Sequence, residues 1–303
     1  MYPSRSADGL VVVGYDGSAA SQRALVWAAA VSRDLGTELR IMHAVELDLL
    51  PGRRSHALRP LSPSLEMVAE TMVGGPSTWP GKPLARSRVR AVHAFGGPAG
   101  ELVDASMTAD LVVLGTRGRG RARSALIGSV SSAVAARAYC PVVVLHDLAH
   151  PARGARRDVA VPGPGCEVVC AVTPAADSAH EGRVERLVSA AAGVAVGCAA
   201  PLRLVTVLPS TASGPSGRPG RPGRAGPRPV PYDTDGLVRC HSGLEVRSQT
   251  LLGDPVEALT RTSRDAGLLV IGAPHTGGVA AVLAGTPAYR IIHDATCPVM
   301  LVH

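Results

Sequence analysis

The sequence predicts an α/β fold built twice over: two consecutive units, each a parallel five-stranded sheet with helices on both faces. Three observations lead there. Short apolar runs alternate with helical patterns along the whole chain. Matching segments recur at one fixed spacing. A length of 303 residues also suits two domains better than one.

The repeat is explicit. Cys140-Pro141-Val142-Val143-Val144-Leu145-His146 returns as Cys297-Pro298-Val299-Met300-Leu301-Val302-His303, 157 residues on. At the same spacing Leu111 to Gly115 becomes Leu268 to Gly272, and Gly128-Ser129 becomes Gly285-Thr286. Pro98 becomes Pro255, and Val11-Val12-Val13 becomes Val168-Val169-Cys170. Five separate features at one offset mean a duplication. We set the first unit at residues 1–148, a Pro-, Gly- and Arg-rich linker at 149–165, and the second unit at 166–303.

In the first unit, Leu10 to Gly14 reads as a buried strand. Ser18 to Leu35 reads as a helix, with Ala24, Leu25, Ala28 and Val31 at helical spacing and Gly36 as its stop. A strand from Leu39 to Val45 follows, then a helix from about Ser64 to Val73 and a strand from Val89 to His93. Pro98 to Thr108 is a helix, Leu111 to Gly115 a strand, Ser129 to Ala138 a helix and Val142 to His146 the last strand. The second unit repeats the plan with strands at Glu167 to Ala171, Leu202 to Leu208, Leu244 to Leu251, Leu268 to Gly272 and Val299 to Val302. Its second helix is largely replaced by an Arg/Pro/Gly loop at 209–231, whose composition (Ser213 to Pro231) cannot bury a core and predicts disorder. Strands that alternate with helices imply parallel sheets with right-handed crossovers. Such sheets bind ligands beyond the carboxyl ends of their strands.

Composition excludes several classes. A hydrophobic fraction of 46% suffices for a core, and 3% aromatic residues leave it to Val, Leu, Ile and Ala. There is no apolar run of the roughly 18 residues that a membrane span needs. No signal-peptide pattern opens the sequence, so we expect a cytoplasmic protein with no membrane partner. The net charge of +7 raises nucleic acid as a partner. However, many arginines sit in the low-complexity loop, and no aromatic stacking platform accompanies them. The six cysteines form no CxxC pair, so no metal site is assigned and buried thiols are expected. The single lysine, Lys82, lies between Gly81 and Pro83, which excludes a GK[ST] phosphate loop and leaves no Schiff-base candidate.

The chemistry concentrates in Gly115-Thr116-Arg117-Gly118-Arg119-Gly120-Arg121, followed by Gly128-Ser129-Val130. Gly115 ends a strand. Gly118 and Gly120 permit a backbone whose N–H groups converge on an anion. Gly128-Ser129 opens a helix whose free N–H groups and dipole favour phosphate. The bland alternative is that these glycines only shape a strand-to-helix turn.

The spacing Gly115-x2-Gly118-x9-Gly128-Ser129 resembles the signature of ATP-binding universal stress proteins. Val11-Val12-Val13-Gly14-Tyr15-Asp16-Gly17-Ser18 is similar to that family's first strand and turn, and Cys140 to Val144 to its last strand. The resemblance spans both units. It implies a Rossmann-like fold of the adenine nucleotide alpha-hydrolase type, with the last strands of the units paired antiparallel. The tandem chain then mimics a dimer of single domains, and a homodimer of chains is a further expectation. The resemblance also implies that Asp16 faces adenine and ribose, that Gly14 lets the backbone approach, and that Ala44 and Val45 touch adenine through their backbone. Gly115 to Arg121 would cradle ribose and phosphates, and Ser129 and Val130 the outer phosphates. His43 reads as a packed strand-end residue. The ligand implied is ATP, which usually brings Mg²⁺.

The second unit departs from the pattern. His275 replaces the second glycine, Thr173 stands where Asp16 stands, and its loop has no arginine. We expect it to bind nucleotide weakly or not at all. The functions in play are a non-enzymatic ATP-binding stress regulator with an unidentified protein partner, a slow ATPase, and a scaffold that has lost nucleotide binding. No general base for water attack is visible in the motif, which favours the first and allows at most weak hydrolysis.

Overall fold

A computed structural model describes residues 9–45, 65–74, 84–116, 127–145, 160–173, 178–208, 234–273 and 286–303. In the first unit the order is β1 (Leu10–Gly14), α1 (Ala19–Leu35), β2 (Glu38–Val45), α2 (Leu65–Gly74), β3 (Val89–Phe95), α3 (Pro98–Ala105), β4 (Leu111–Gly115), α4 (Ser129–Arg137) and β5 (Val142–Leu145). The second has β6 (Val168–Val172), α5 (Ser178–Gly197), β7 (Leu202–Leu208), α6 (Thr234–Cys240), β8 (Val246–Leu252), α7 (Pro255–Thr262), β9 (Leu268–Gly272), α8 (Pro287–Asp294) and β10 (Val299–Val302).

All ten strands join one sheet in the order β3-β2-β1-β4-β5-β10-β9-β6-β7-β8. Each half is parallel, as expected. The halves meet where β10 pairs antiparallel with β5, with Val299 opposite Val144, Met300 opposite Val143 and Leu301 opposite Val142. That pairing removes two inner edges that would otherwise offer unpaired N–H and C=O groups. The outer edges fall to β3 and β8, which are mostly partly or fully exposed and carry Arg90 and Arg247.

Helices cover both faces, so the central strands need apolar side chains in both directions. Val11, Val12 and Val13 are all fully buried, as are Val142, Val143 and Val144. On one face α1, α2 and α5 pack over Val11, Val13, Leu39 and Met300. On the other, α3, α4, α7 and α8 pack over Val12, Leu114, Leu269 and Leu301.

Local chemistry sets the helix ends. Ser18 caps α1 by accepting the Ser21 N–H at 3.1 Å. Gly36 closes it in the left-handed region, at φ 73°. Asp254 caps α7 ahead of Pro255. α3 stops at Ala105, three residues short of the expected Thr108, because the chain turns at Ser106. Ser106 Oγ accepts the Tyr139 N–H at 2.9 Å, and Ser263 Oγ accepts Thr296 N–H at the same distance in the second unit.

The repeat is not uniform at 157. Val11 pairs with Leu39, but Val168 pairs with Leu202, an offset of 163. The spacing returns to 157 by the third strand, where Leu39 pairs with Val89 and Leu202 with Val246. The second unit therefore has extra residues between its first strand and the end of α5. Ala199, at φ 50°, takes the turn that Gly36 takes in the first. The loop at 209–231, His146 and residues 149–159 of the linker lie outside the described residues. Near its end the linker closes a small bridge between Gly163 and Cys166.

The thiols behave as expected where they are buried. Burial pushes Cys140 up to about 12, with the Asp110 carboxylate adding to the effect. Cys198 and Cys297 are likewise pushed up to about 12, chiefly by burial. These groups stay protonated at neutral pH. Cys240 is exposed.

Candidate functional site

The first-unit motif gathers at the carboxyl ends of β1, β2 and β4 and the N-terminus of α4. β1 lies between β2 and β4, so the chain leaves its centre in both directions here. That is the switch point at which open α/β sheets form a crevice.

The turn after β1 is tightly held. Tyr15 N–H donates to the Met42 carbonyl at 2.8 Å. His43 Nδ1 lies 2.7 Å from the Tyr15 carbonyl, and since a carbonyl only accepts, Nδ1 carries the proton. His43, half-buried near the end of β2, thus clamps the turn through this bond. Gly17 adopts φ 76°, which favours glycine. Asp16 Oδ1 accepts the Ser18 N–H at 2.9 Å, an Asx turn that leads into the α1 cap. Ser21 Oγ donates to the Ser18 carbonyl at 3.0 Å.

At β4, Thr116 is 4% exposed, and its N–H donates to the Leu145 carbonyl at 2.8 Å. Its carbonyl accepts the Gly128 N–H at 2.5 Å. Ser131, buried on α4, donates its hydroxyl to the Gly115 carbonyl at 2.7 Å. These two bonds seat the start of α4 against the end of β4. The sequence reading missed Ser131; its signal was a hydroxyl on a helix face whose other buried residues, Val134 and Ala135, are apolar.

The start of α4 is open. Gly128 is its N-cap, with φ −63° and ψ 154°, and supplies no side-chain cap. The first turn holds no acidic residue. The N–H groups of Ser129, Val130 and Ser131 therefore point beyond the helix with no capping side chain, at the positive end of its dipole. Ser129 is exposed and Val130 half-buried.

The second unit closes the same place. Thr286, at the position of Ser129, is the N-cap of α8, and its Oγ1 accepts the Tyr289 N–H at 3.2 Å. Pro287 follows and has no N–H. Ala288 stands at the position of Ser131, so the anchoring hydroxyl is lost.

Two motif glycines have packing reasons of their own. A Cβ on Gly115 would lie 2.7 Å from the Ala20 carbonyl carbon and 2.8 Å from Ala20 Cβ. Gly115 thus lets the first turn of α1 rest on β4. A Cβ on Gly14 would meet Leu114 Cδ2 at 2.6 Å. At Gly272, the partner of Gly115, a Cβ would meet nothing within 4 Å.

The structure brings together Gly14, Asp16, Gly115, Thr116, Gly128, Ser129 and Val130. Ala44 and Val45 end β2, paired with Ala94 and Phe95 of β3. Arg117, Gly118, Arg119, Gly120, Arg121 and His275 lie outside the described residues. Among the described residues, no group of three or more His, Cys, Asp or Glu could hold a metal ion, and no helix is long and apolar enough to cross a membrane.

Comparison with known proteins agrees with this architecture. A family model described as the universal stress protein family matches residues 10–146 and again 174–303. Universal stress protein Rv2005c of Mycobacterium tuberculosis is 28% identical over 306 residues, covering 96% of each chain. Universal stress protein Rv2623 of the same organism is 34% identical over 149 residues, 45% of this chain and 47% of its own. Among solved structures, a universal stress protein from Archaeoglobus fulgidus aligns with a TM-score of 0.65 and 18% identity, covering 99% of this chain and 98% of that one.

Proposed function

Because the chain belongs to the universal stress protein family, we propose that its N-terminal unit binds ATP and that the protein works as a nucleotide-dependent stress regulator in the cytoplasm rather than as a catalyst. The observation that carries this is the uncapped start of α4, held on the end of β4 by Ser131 and Thr116. Three N–H groups and a positive helix end form the donor set that phosphate oxygens need. The Ser129 hydroxyl adds a fourth donor, and Arg117, Arg119 and Arg121 of the motif would add positive charge. Asp16, on the turn clamped by His43, would accept from the ribose end. Any accompanying Mg²⁺ would neutralise phosphate charge.

The second unit supports an asymmetric version of this function. With Thr286 turned onto its own helix and Pro287 at the first position, α8 presents fewer donors. We assign the second unit a structural part: it completes the sheet and forms an intramolecular pseudo-dimer with the first. Nucleotide bound to the first unit stabilises the folded state by mass action, and a protein partner would read that difference. At a hundredfold excess over Kd the gain is about 2.7 kcal/mol.

The test is direct. Purified protein is denatured, and the released small molecules are identified by mass spectrometry. ATP from the wild type, and none from Gly118→Glu protein, is the expected result. Finding no nucleotide in the wild type, together with no thermal shift on adding ATP, would leave the scaffold reading in its place. Phosphate release that persists in Gly118→Glu protein would show that any hydrolysis arises elsewhere.

A further inference from the structure

A cavity of about 360 Å³ opens away from the phosphate motif, at the amino ends of the first unit's strands. Its deep part is apolar. Val11 and Leu111 of the first unit and Met300 of β10 are each no more than 4% exposed and form part of its lining. Ala190, Gly193 and Val194 of α5 form another wall. The cavity therefore lies between the two units, where the ends of α1 and α5 converge. There a Cβ on Gly197 would collide with Leu35 Cδ2.

The two units differ in the side chains they place here. At the helix offset of 163, Ala190 on α5 matches Trp27 on α1, and Gly193 matches Ala30. Trp27 is fully buried. The first helix thus fills its position with the largest side chain available, while α5 keeps a methyl and a bare glycine. Gly193 has no backbone reason to be glycine, since it sits inside a helix without positive φ, and a Cβ there would meet nothing within 4 Å. Glycine inside a helix is destabilising relative to alanine, so the space is kept against the helix's own preference.

We propose that this cavity is a binding site for a small, uncharged, largely apolar molecule with one hydrogen-bonding end, of the alcohol or phenol class. The volume falls at the lower end of small-molecule sites. Its polar lining is half-buried Ser189, Asp110 and His241 and exposed Ser242, while buried Thr37 already gives its hydroxyl to Ser32. Asp110 already accepts the Leu10 N–H at 2.7 Å, and its carboxylate disfavours an anionic ligand. No Lys or Arg is among the described residues that line it. The site is separate from the nucleotide motif and does not depend on ATP binding there.

The test uses 2-naphthol as probe, followed by its own fluorescence, on the full chain. Saturable binding of one molecule per chain is expected, with Kd on the order of 100 μM for a ligand of that size. Gly193→Leu and Ala190→Trp each fill the space, the second by copying Trp27. Each should weaken binding by about tenfold or more, while Gly193→Leu keeps or raises the Tm of the ligand-free protein. 2-Naphthoate, the anionic analogue, should bind more weakly than 2-naphthol. The proposal is overturned if 2-naphthol does not saturate by about 1 mM, if a folded Gly193→Leu protein binds as the wild type does, or if 2-naphthoate binds as tightly.

Discussion

Replacing Gly115 by alanine, and separately Gly272 by alanine, separates the packing role of a motif glycine from its place in the repeat. The two positions correspond at the end of β4 and β9. At Gly115 the new methyl would meet the Ala20 carbonyl carbon at 2.7 Å and the Ala20 carbonyl oxygen at 2.8 Å. Both are backbone atoms in the first turn of α1, so relief requires moving the helix, and with it the Ser18 cap. Overpacking of that kind costs about 1–3 kcal/mol. For a unit of roughly 150 residues, a cost of about 2 kcal/mol lowers Tm by about 4–8 °C. At Gly272 the methyl meets nothing within 4 Å, and the glycine is not among those with positive φ. There the substitution should stabilise by about 0.4–1 kcal/mol, through a less flexible unfolded chain. The assay is thermal unfolding by circular dichroism without nucleotide, checked by urea titration. Equal effects at the two sites, or a neutral Gly115→Ala, would refute the assignment of Gly115 to α1 packing.

Further outcomes follow from the same asymmetry. Thr286→Ala removes the cap of α8 and should cost about 1 kcal/mol of stability, whereas Ser129→Ala should leave unfolding unchanged and weaken ATP binding in calorimetry. Ser131→Ala should cost about 1 kcal/mol and also weaken ATP, because α4 loses its tie to the Gly115 carbonyl; ATP affinity equal to wild type would contradict the anchoring role. Among the thiols, Cys240 should react with a disulfide reagent at pH 8 in the folded protein, while Cys140, Cys198 and Cys297 react only on unfolding. Raised thiol values contribute stability that is complete below the unfolded value near 9 and is lost as pH climbs toward about 12. Stability should therefore decline above about pH 9, and a flat profile to pH 11 would contradict it.

Much of the fold was legible because strong local signals agreed. The valine runs at 11–13 and 142–144 are short and β-branched and read as buried strands, and the recurrence of Cys-Pro before the last strand exposed the duplication. The antiparallel meeting of β5 and β10 followed from family resemblance rather than from residue pattern. The shift from 157 to 163 across α5 was harder to see, because Ala199 does the work of Gly36 and apolar runs carry no exact register. Candidate site residues came from a motif, and a motif does not say why each residue is there. Gly115 and Gly14 had packing reasons that depend on Ala20 and Leu114, which are distant or unremarkable in sequence. Ser131 was missed for the same reason, since its partner is a backbone carbonyl sixteen residues away. The cavity between the units was invisible, because Ala190 and Gly193 only become unusual beside Trp27 and Ala30.

The first unit of the duplicated chain is proposed to bind ATP, and the second to bind it weakly or not at all. The most direct test is the stoichiometry of ATP binding by equilibrium dialysis, on nucleotide-stripped wild type and on Gly118→Glu protein. One ATP per chain in the wild type, falling to none in the variant, is the result expected. Two equivalent ATP per chain, or one that survives Gly118→Glu, would contradict it.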